Sequence, residues 1–343
     1  MLKPDQKLAI HFFEQIDKLN GKMGHGVLRY SRNPIACAID LNHGGRSTRD
    51  LLDFGPDAPI YSSVESAMSA GGEVLILGMA PSGGRLPPEM VEEVDRAVSA
   101  GMSVINGLHE QLGPRYPDLP EGQWIWDIRQ EPKDLGIAWA RAAKLSNRRA
   151  LLVGTDMAVG KMTAGLEIWH AALRDDVRAD FLATGQIGIL VSGKGVPLDA
   201  IRVDYACGAI EKMVVEAADA DLAIIEGQGS IVHPGNTSTL PLMRGSCPTH
   251  LILCHRAGMT HLDTVGDQVK VPPLNEIIAL YEDIANGCGA FKRPVTAGIA
   301  LNTAHLSEAD ASRAIAQTAD ETGRLTLDPV RDGAGALVKA LMD

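Results

Sequence analysis

Residues 150–163 constrain the fold of this chain more than any other stretch. An apolar run ends at Gly154, a loop continues to Gly160, and Lys161 then opens a segment with helical periodicity. Glycines at both ends of such a loop let successive N–H groups turn inward, while the helix start and the lysine add positive charge. The sequence therefore predicts a strand, a phosphate-binding loop and a helix, which together open a parallel α/β domain.

This loop departs in two ways from the common G-x-x-x-x-G-K-[ST] form. It has five residues between its glycines, one more than usual, and Met162 stands where Ser or Thr normally supplies a magnesium ligand. A thioether is a poor ligand for magnesium, and the nearest hydroxyl belongs to Thr163. The methionine also begins an apolar stripe at helical spacing, Met162, Leu166, Trp169 and Leu173, which we expect to pack on a sheet. We assign cofactor binding to Gly154, Thr155, Asp156, Val159, Gly160, Lys161, Met162 and Thr163.

At 343 residues the chain exceeds the size at which one hydrophobic core usually stops growing, so we expect two domains. We place the boundary after residue 145, which gives domains at 1–145 and 146–343. Each shows alternating strand and helix patterns, and we predict two parallel α/β sheets. The predicted strands are 35–39, 74–77 and 103–105 in the first domain, and 150–153, 180–183, 222–225, 250–254 and 295–301 in the second.

The composition limits the cellular location and the classes of binding partner that we expect for this protein. The formal net charge is −11 without a dense run of Lys or Arg, which disfavours nucleic acid as a partner. The sequence has no apolar run of about 18 residues and opens without a secretory signal, so we expect no membrane association. Five cysteines are scattered without a C-x-x-C pair, which indicates neither disulfides nor zinc. A cytoplasmic protein acting on a small molecule fits these features, and a homo-oligomer is compatible with them.

Polar side chains follow several of the predicted strands, where open parallel sheets bind ligands. Glu226 follows the apolar run 222–225 and is followed by Gly-Gln-Gly. It would serve as a magnesium partner or general base, or it would only orient Lys161. Asp204 and Glu211 are seven residues apart, so on a helix they would share one face. Such a pair would bind a metal or an amine, or consist of a helix cap and a solvated acid.

Further candidates lie at other strand ends and turns. Asn302 ends the last strongly apolar strand, where it would meet an adenine edge or simply form a turn. The segment 81–85 precedes a predicted helix and would make an anion site with Arg85 at its rim. His109, Arg129 and His233 would each take a direct role or a structural one. The first domain has no G-x-G-x-x-G after its early strand, which disfavours a nicotinamide-dependent dehydrogenase.

Taken together, these motifs resemble one bacterial and archaeal family. They comprise the loop 154–163 with its Thr-Asp pair, as in dethiobiotin synthetase, the segments 184–186 and 226–230, His233-Pro234, 107–109 and 127–129. The family joins a Rossmann-like N-terminal domain to a dethiobiotin-synthetase-like P-loop domain, and its members have been assigned D-glutamate N-acetyltransferase activity with acetyl-coenzyme A. The resemblance covers residues 40–302, and within the family a methionine after the lysine is expected.

The resemblance implies an acetyltransferase whose P-loop anchors the phosphates of coenzyme A, with magnesium optional. Glu226 is then the first choice of general base, followed by Asp204 and His233, and Gln186 or backbone N–H groups would stabilise the oxyanion. Arg85, His109 and Arg129 would bind the carboxylates of the substrate, and Asn302 would contact the cofactor. Two alternatives remain: an ATP- and magnesium-dependent kinase or ligase using Thr163, and a nucleotide-binding protein without catalysis.

Overall fold

The structure is a computed structural model that describes residues 2–79, 85–263, 265 and 268–343. The chain divides into two compact units, Met1–Gln130 with Ile189–Gly193, and Glu131–Gly188 with Lys194–Asp343. The division after Gln130 comes earlier in the chain than the predicted boundary after residue 145. The reason is that residues after Gln130 are bonded to a helix of the second unit: Glu131 binds the Arg202 side chain, and the main chain at Trp139 binds Glu211.

The first unit is an all-parallel α/β sheet. In the described residues its strand order is β3-β2-β1-β4-β5-β6, which is the order of dinucleotide-binding Rossmann domains. The predicted strands 35–39, 74–77 and 103–105 are present, and the short strands β1, β3 and β6 are additional. The elements are β1 Leu8–His11, α1 Lys22–Tyr30, β2 Ile35–Ile39, β3 Ile60–Tyr61, α2 Val64–Ser69, β4 Val74–Leu77, α3 Pro88–Ser99, β5 Ser103–Asn106 and β6 Ile125–Asp127.

Asp40, directly after β2, occupies the position where dinucleotide-binding domains place an acid for the ribose. Its side chain is fully buried here, and both carboxylate oxygens already accept hydrogen bonds. Oδ2 accepts from Ile16 N at 3.1 Å, and Oδ1 accepts from Asn42 N at 3.1 Å and from His43 Nδ1 at 2.8 Å. Asp40 therefore holds the loops after β1 and β2 in place. Its carboxylate is already engaged within the protein, and the sequence also lacks the G-x-G-x-x-G motif that accompanies a ribose-binding acid.

The second unit is also an all-parallel sheet, with strand order β12-β11-β10-β7-β9-β8 in the described residues. All five predicted strands are present, and the short β12 is additional. None of the described helices is long and apolar enough to cross a bilayer. The elements from β7 onward are β7 Arg148–Gly154, α4 Lys161–Arg174, β8 Ala179–Leu182, α5 Gln186–Ser192, α6 Val203–Glu216, β9 Leu222–Ile225, α7 Thr239–Ser246, β10 His250–Arg256, α8 Leu274–Asn286, β11 Val295–Asn302, α9 Glu308–Thr322, β12 Thr326–Leu327 and α10 Gly335–Met342. Residues 189–192 of α5 are counted with the first unit.

The topology places β7 in the middle of this sheet, between β9 and β10. The chain leaves β7 through the loop before α4, reaches β8 and β9 on one side, and then crosses to β10 and β11 on the other. Ligands of open α/β sheets bind where the chain changes direction in this way, outside the carboxyl ends of the strands. The fold therefore gathers the ends of β7, β9 and β10 at one edge, as the predicted site requires.

Helix α4 corrects the predicted apolar stripe. Leu166 and Trp169 are buried as expected, but Met162 is only half-buried and Leu173 is 39% exposed. The buried face instead begins at Lys161 and continues through Ala164, Ile168 and Ala172. The buried face thus keeps the two central residues of the predicted stripe but includes Lys161 in place of Met162, because the lysine side chain lies inward beneath the loop.

Candidate functional site

The phosphate loop begins at Gly154, where β7 ends, and closes at Gly160, the residue that caps α4. Gly160 has φ 98° and ψ 22°, in the left-handed region that favours glycine. A Cβ at Gly154 would stand 2.9 Å from Val159 Cγ2 and 3.0 Å from Lys161 Nζ, so the loop folds tightly over its first residue. The N–H groups in the first turn of α4 have no intrahelical acceptors, which makes this end of the helix suited to an anion.

Lys161 lies beneath this loop with only 5% of its surface exposed. Its Nζ donates to the carbonyl oxygens of Asp156 at 2.8 Å and Met157 at 3.0 Å. Burial lowers the pKa of this lysine to about 8, although Cys254, Asp156 and Glu226 each act in the opposite direction. The carboxylate of Glu226 is not a hydrogen-bond partner of this ammonium among the described residues, so Glu226 does not orient the lysine by direct contact.

The side chains of Thr155 and Asp156 fix the loop from inside. The Thr155 hydroxyl lies 2.9 Å from His255 Nδ1, and burial, assisted by Arg256, lowers the pKa of that histidine to about 4. Asp156 is 1% exposed, and its carboxylate accepts from Met157 N at 2.6 Å and from Asp263 N at 2.8 Å. Both residues, predicted as cofactor ligands, shape the loop through these bonds, while its main chain lines the anion site.

Glu226 directly follows β9, the neighbour of β7, and is 3% exposed. Its Oε2 accepts from the backbone N–H groups of Thr184 at 2.8 Å and Gly185 at 3.0 Å. Burial raises the pKa of this carboxyl to about 7, against the smaller lowering effects of those two hydrogen bonds and of the Lys161 charge. A carboxyl with one oxygen fixed and a pKa near neutrality is suited to general-base catalysis.

Three close-packed glycines lie near Glu226, and one of them, Gly188, leaves the space that its carboxyl occupies. A Cβ at Gly188 would stand 2.7 Å from Glu226 Oε2, and a Cβ at Gly185 would stand 2.8 Å from Gln228 Nε2. A Cβ at Gly227 would come within 1.8 Å of the carbonyl oxygen of Leu152 in β7. Glycine is therefore required at Gly188 by the close approach of the Glu226 carboxyl, and at Gly185 and Gly227 by the close approach of other neighbouring atoms.

His233 lies in the segment after Glu226 and faces the phosphate loop. It is 5% exposed, and its Nε2 is 3.9 Å from Asp156 Oδ1. Gly235 N donates to His233 Nδ1 at 3.0 Å, which places the proton of the neutral ring on Nε2. With one ring nitrogen accepting from the backbone and the other protonated toward Asp156, His233 is better suited to donate a hydrogen bond than to act as a base.

Asp204 and Glu211 both lie in α6, as the sequence predicted for one helical face, but they have different surroundings. Glu211 is fully buried in α6, and its carboxylate accepts from Trp139 N, Arg141 N and Arg141 Nε at 2.7–3.1 Å. Asp204 is exposed in the first turn of the same helix, and no described hydrogen bond or ion pair joins it to Glu226 or to the phosphate loop. Glu211 therefore anchors the segment before β7, and the expected pair of carboxylates does not form.

Among the remaining candidates in this unit, Asn302 reaches the loop from the end of β11. A Cβ at Gly160 would stand 3.6 Å from Asn302 Nδ2, while Asn302 Oδ1 accepts from Ala304 N at 3.1 Å. Met162 and Thr163 are half-buried in the first turn of α4. Gln186 is half-buried at the start of α5, next to the two residues that donate to Glu226. The described residues contain no group of three or more His, Cys, Asp or Glu side chains arranged to hold a metal ion.

The candidates in the first unit form one pair. Arg129 NH1 makes a hydrogen bond to His109 Nε2, and Asp127 beside them accepts from Asn106, Leu112 and Gly113. Arg85 is exposed. The rest of its predicted anion site, residues 81–84, lies outside the described residues.

Sequence reasoning missed Tyr281 and Asp263, which reach the loop from distant segments. Tyr281 in α8 donates to the carbonyl oxygen of Gly154 at 2.7 Å and accepts from Ile231 N at 3.0 Å. Asp263 donates its N–H to Asp156, as described above, and pairs through its carboxylate with Arg256. A single tyrosine or aspartate in the sequence gives no local signal of such a contact.

Comparison with known proteins identifies the family of this chain. The chain matches two family models, a Rossmann-like domain of unknown function over residues 41–131 and a P-loop domain of unknown function over residues 136–338. It is similar to a crystal structure of a DUF1611 family protein from Anabaena variabilis, with a TM-score of 0.94, 48% identity, and coverage of 98% of this chain and 99% of that one.

Two curated relatives carry the name D-glutamate N-acetyltransferase. The protein from Tritonibacter scottomollicae is 35% identical over 81% of this chain and 84% of its own length. The protein from a Pseudoalteromonas species is 32% identical over 99% of both chains. The P-loop model covers more than half of the chain and the Rossmann-like model precedes it, and the chain therefore belongs to the DUF1611 family, which joins a Rossmann-like N-terminal domain to a P-loop C-terminal domain.

Proposed function

We propose that this protein transfers an acetyl group from acetyl-coenzyme A to the amine of an acidic amino acid, D-glutamate. The observation that carries the proposal is the pair of relatives named D-glutamate N-acetyltransferase, which match 81% and 99% of this chain. The site supports it because a buried carboxyl with a pKa of about 7 lies at the strand next to the phosphate loop.

The phosphate loop would hold the pyrophosphate of coenzyme A. Gly160 in its left-handed conformation and the free N–H groups of α4 provide donors, and Lys161 provides a positive charge. A phosphate bound there relieves the cost of keeping the buried ammonium charged. Because no phosphoryl group is transferred, a magnesium ion is optional, which agrees with Met162 at the position of the usual hydroxyl ligand.

The reaction needs a base because the amine of an amino acid is mostly protonated at neutral pH. The Glu226 carboxylate accepts a proton from the ammonium, the freed nitrogen forms a bond to the thioester carbonyl carbon, and the carbon–sulfur bond then breaks. The electron pair of that bond leaves with the sulfur of coenzyme A, which takes the proton held by Glu226 and becomes the free thiol, and the nitrogen gives up its second proton to solvent. A base whose pKa lies near the working pH is the most effective for this step.

Other side chains take supporting roles in the proposal. His233, with its proton on Nε2, acts as a hydrogen-bond donor, which leaves Glu226 ahead of His233 and of the exposed Asp204 as the base. Gln186, at the start of α5, is the side-chain candidate for stabilising the oxyanion, a role whose loss costs about 10²- to 10³-fold in rate. The cationic guanidinium of Arg129 with His109, and Arg85, would bind carboxylates of the substrate.

The experiment is to incubate the protein with acetyl-coenzyme A and D-glutamate, with and without EDTA, and to follow free thiol. L-Glutamate is the matched acceptor control, and a parallel series contains ATP with detection of ADP. We expect thiol release that requires D-glutamate and persists in EDTA. Formation of ADP only in the presence of magnesium, without thiol release, would instead favour the kinase or ligase alternative. Binding of coenzyme A or ADP without turnover would favour a nucleotide-binding protein.

A further inference from the structure

The side chain of Tyr281 connects two loops of the candidate site. It is fully buried in α8 and stands first by volume among the fully buried side chains of the described residues. Its hydroxyl donates to the carbonyl oxygen of Gly154, the last residue of β7, at 2.7 Å. The same hydroxyl accepts from the N–H of Ile231, in the segment that follows Glu226, at 3.0 Å. One oxygen atom thus uses both its donor and its acceptor capacity on two different loops.

These two loops leave neighbouring strands. β7 and β9 pair in parallel, with Leu151 opposite Ile225, so the phosphate loop and Glu226 emerge side by side. The strand pairing ends there, and beyond it the two loops need other contacts to hold their separation. At the outer end, His233 Nε2 lies 3.9 Å from Asp156 Oδ1, and at the inner end the tie is the Tyr281 hydroxyl.

We propose that Tyr281 is a positioning residue, which holds the cofactor-binding loop and the Glu226 loop in the register that acyl transfer requires. The proposal rests on the proposed function, because this register decides where the acetyl group of a coenzyme A held through its phosphates by the loop meets the base. Burial raises the pKa of Tyr281, so its hydroxyl stays protonated and remains a donor throughout the physiological pH range.

The test compares Tyr281→Phe with a matched control, Thr296→Val. Phenylalanine keeps the ring and removes the hydroxyl with its hydrogen bonds to Gly154, Ile231 and the Ser230 side chain. Thr296 in β11 belongs to the same unit and is 2% exposed, but its Oγ1 has no hydrogen-bond partner among the described residues, so its loss should cost little. Affinity for coenzyme A and for ADP is measured by calorimetry, and kcat and KM are measured by thiol release well below the thermal midpoint.

We expect Tyr281→Phe to weaken binding about tenfold and to lower kcat at saturating acetyl-coenzyme A by about tenfold, the scale of a buried carbonyl left without a donor. Thr296→Val should leave both values within about twofold of the wild type. In a double-mutant cycle, Tyr281→Phe should have less than about a twofold further effect on binding in a Lys161→Met background, because both act through the same loop. Wild-type kinetic constants for Tyr281→Phe, or effects that add fully to those of Lys161→Met, would overturn the proposal.

A measurement on the wild type keeps the proposal testable if Tyr281→Phe does not fold. Coenzyme A should slow hydrogen exchange in the segment 227–236 as well as in residues 154–163, and protection of the phosphate loop alone would contradict the tie. If the wild type binds coenzyme A or ADP but releases no thiol with D-glutamate, the proposed function fails while the binding arm still tests Tyr281. If neither compound binds, both proposals fail.

Discussion

Replacing Glu226 by glutamine should stabilise the protein at pH 8 and remove the proposed acyl-transfer activity. The side chain is 3% exposed, and burial raises the pKa of its carboxyl from 4.5 to about 7. Glutamine has nearly the same shape, and its side-chain oxygen can accept the hydrogen bonds from Thr184 and Gly185. It carries no charge, so it avoids the cost of ionising a buried acid.

The size and the pH dependence of this gain in the free energy of unfolding follow from the raised pKa of Glu226. Between pH 4.5 and 7 the folded protein holds a proton that the unfolded chain has lost, so the wild-type free energy of unfolding falls as pH rises. The accumulated cost is about 0.4 kcal/mol at pH 4.5, about 1.4 kcal/mol at pH 5.5 and about 3 kcal/mol at pH 8. For a unit of this size, about 3 kcal/mol corresponds to an increase in thermal midpoint of roughly 6–12 °C at pH 8.

Thermal melting of the wild type and of Glu226→Gln between pH 4.5 and 8.5 measures the effect, with Glu211→Gln as the control. Glu211 is buried in the same unit, but hydrogen bonds from Arg141 and from two backbone N–H groups outweigh its burial and lower its pKa. Its ionised form therefore adds stability above its unfolded pKa, and Glu211→Gln should destabilise the protein at pH 8. A pH-independent change for Glu226→Gln, or a loss of stability at pH 8, would refute the assignment of a desolvated carboxyl.

Three further predictions concern the same site. The methionine variant Lys161→Met should bind coenzyme A at least tenfold more weakly by calorimetry, yet melt at a higher temperature than the wild type below pH 8, since it removes a buried charge. In thiol-release assays kcat/KM should rise through pH 7 as Glu226, with its pKa of about 7, loses its proton, and fall above pH 8 as Lys161, with its pKa of about 8, loses its charge; a flat profile from pH 6 to 9 would contradict both roles. Gly188→Ala should lower kcat by about tenfold or more, because its Cβ would stand 2.7 Å from Glu226 Oε2, whereas Gly335→Ala, which has open space around its Cβ, should leave kcat unchanged.

Much of the fold could be predicted because its signals are local. Apolar runs that end in polar or glycine residues identify parallel strands, and five of the six described strands of the second sheet were found in this way. Strands of two to four residues such as β1, β3, β6 and β12 are too short to show a period. The two units divide after Gln130 and the predicted boundary lies after residue 145; the bonds from residues 131–141 to Arg202 and α6 join segments distant in sequence, so no local pattern records them.

The sequence by itself determined the phosphate loop, since the strand, the two glycines, the lysine and the helix follow one another directly in the chain. Each of these features has a conformational or charge requirement that neighbouring residues alone explain. It also placed Glu226 at the end of the adjacent strand. Only the tertiary structure decided which ionisable side chains are available for chemistry at the site and which are engaged in holding the fold. Burial sets the pKa of Glu226, Glu211 is taken up by the segment before β7, and Tyr281 reaches the loop from α8. Desolvation and long-range hydrogen bonds depend on residues brought together by folding, and the local pattern does not record which ones these are.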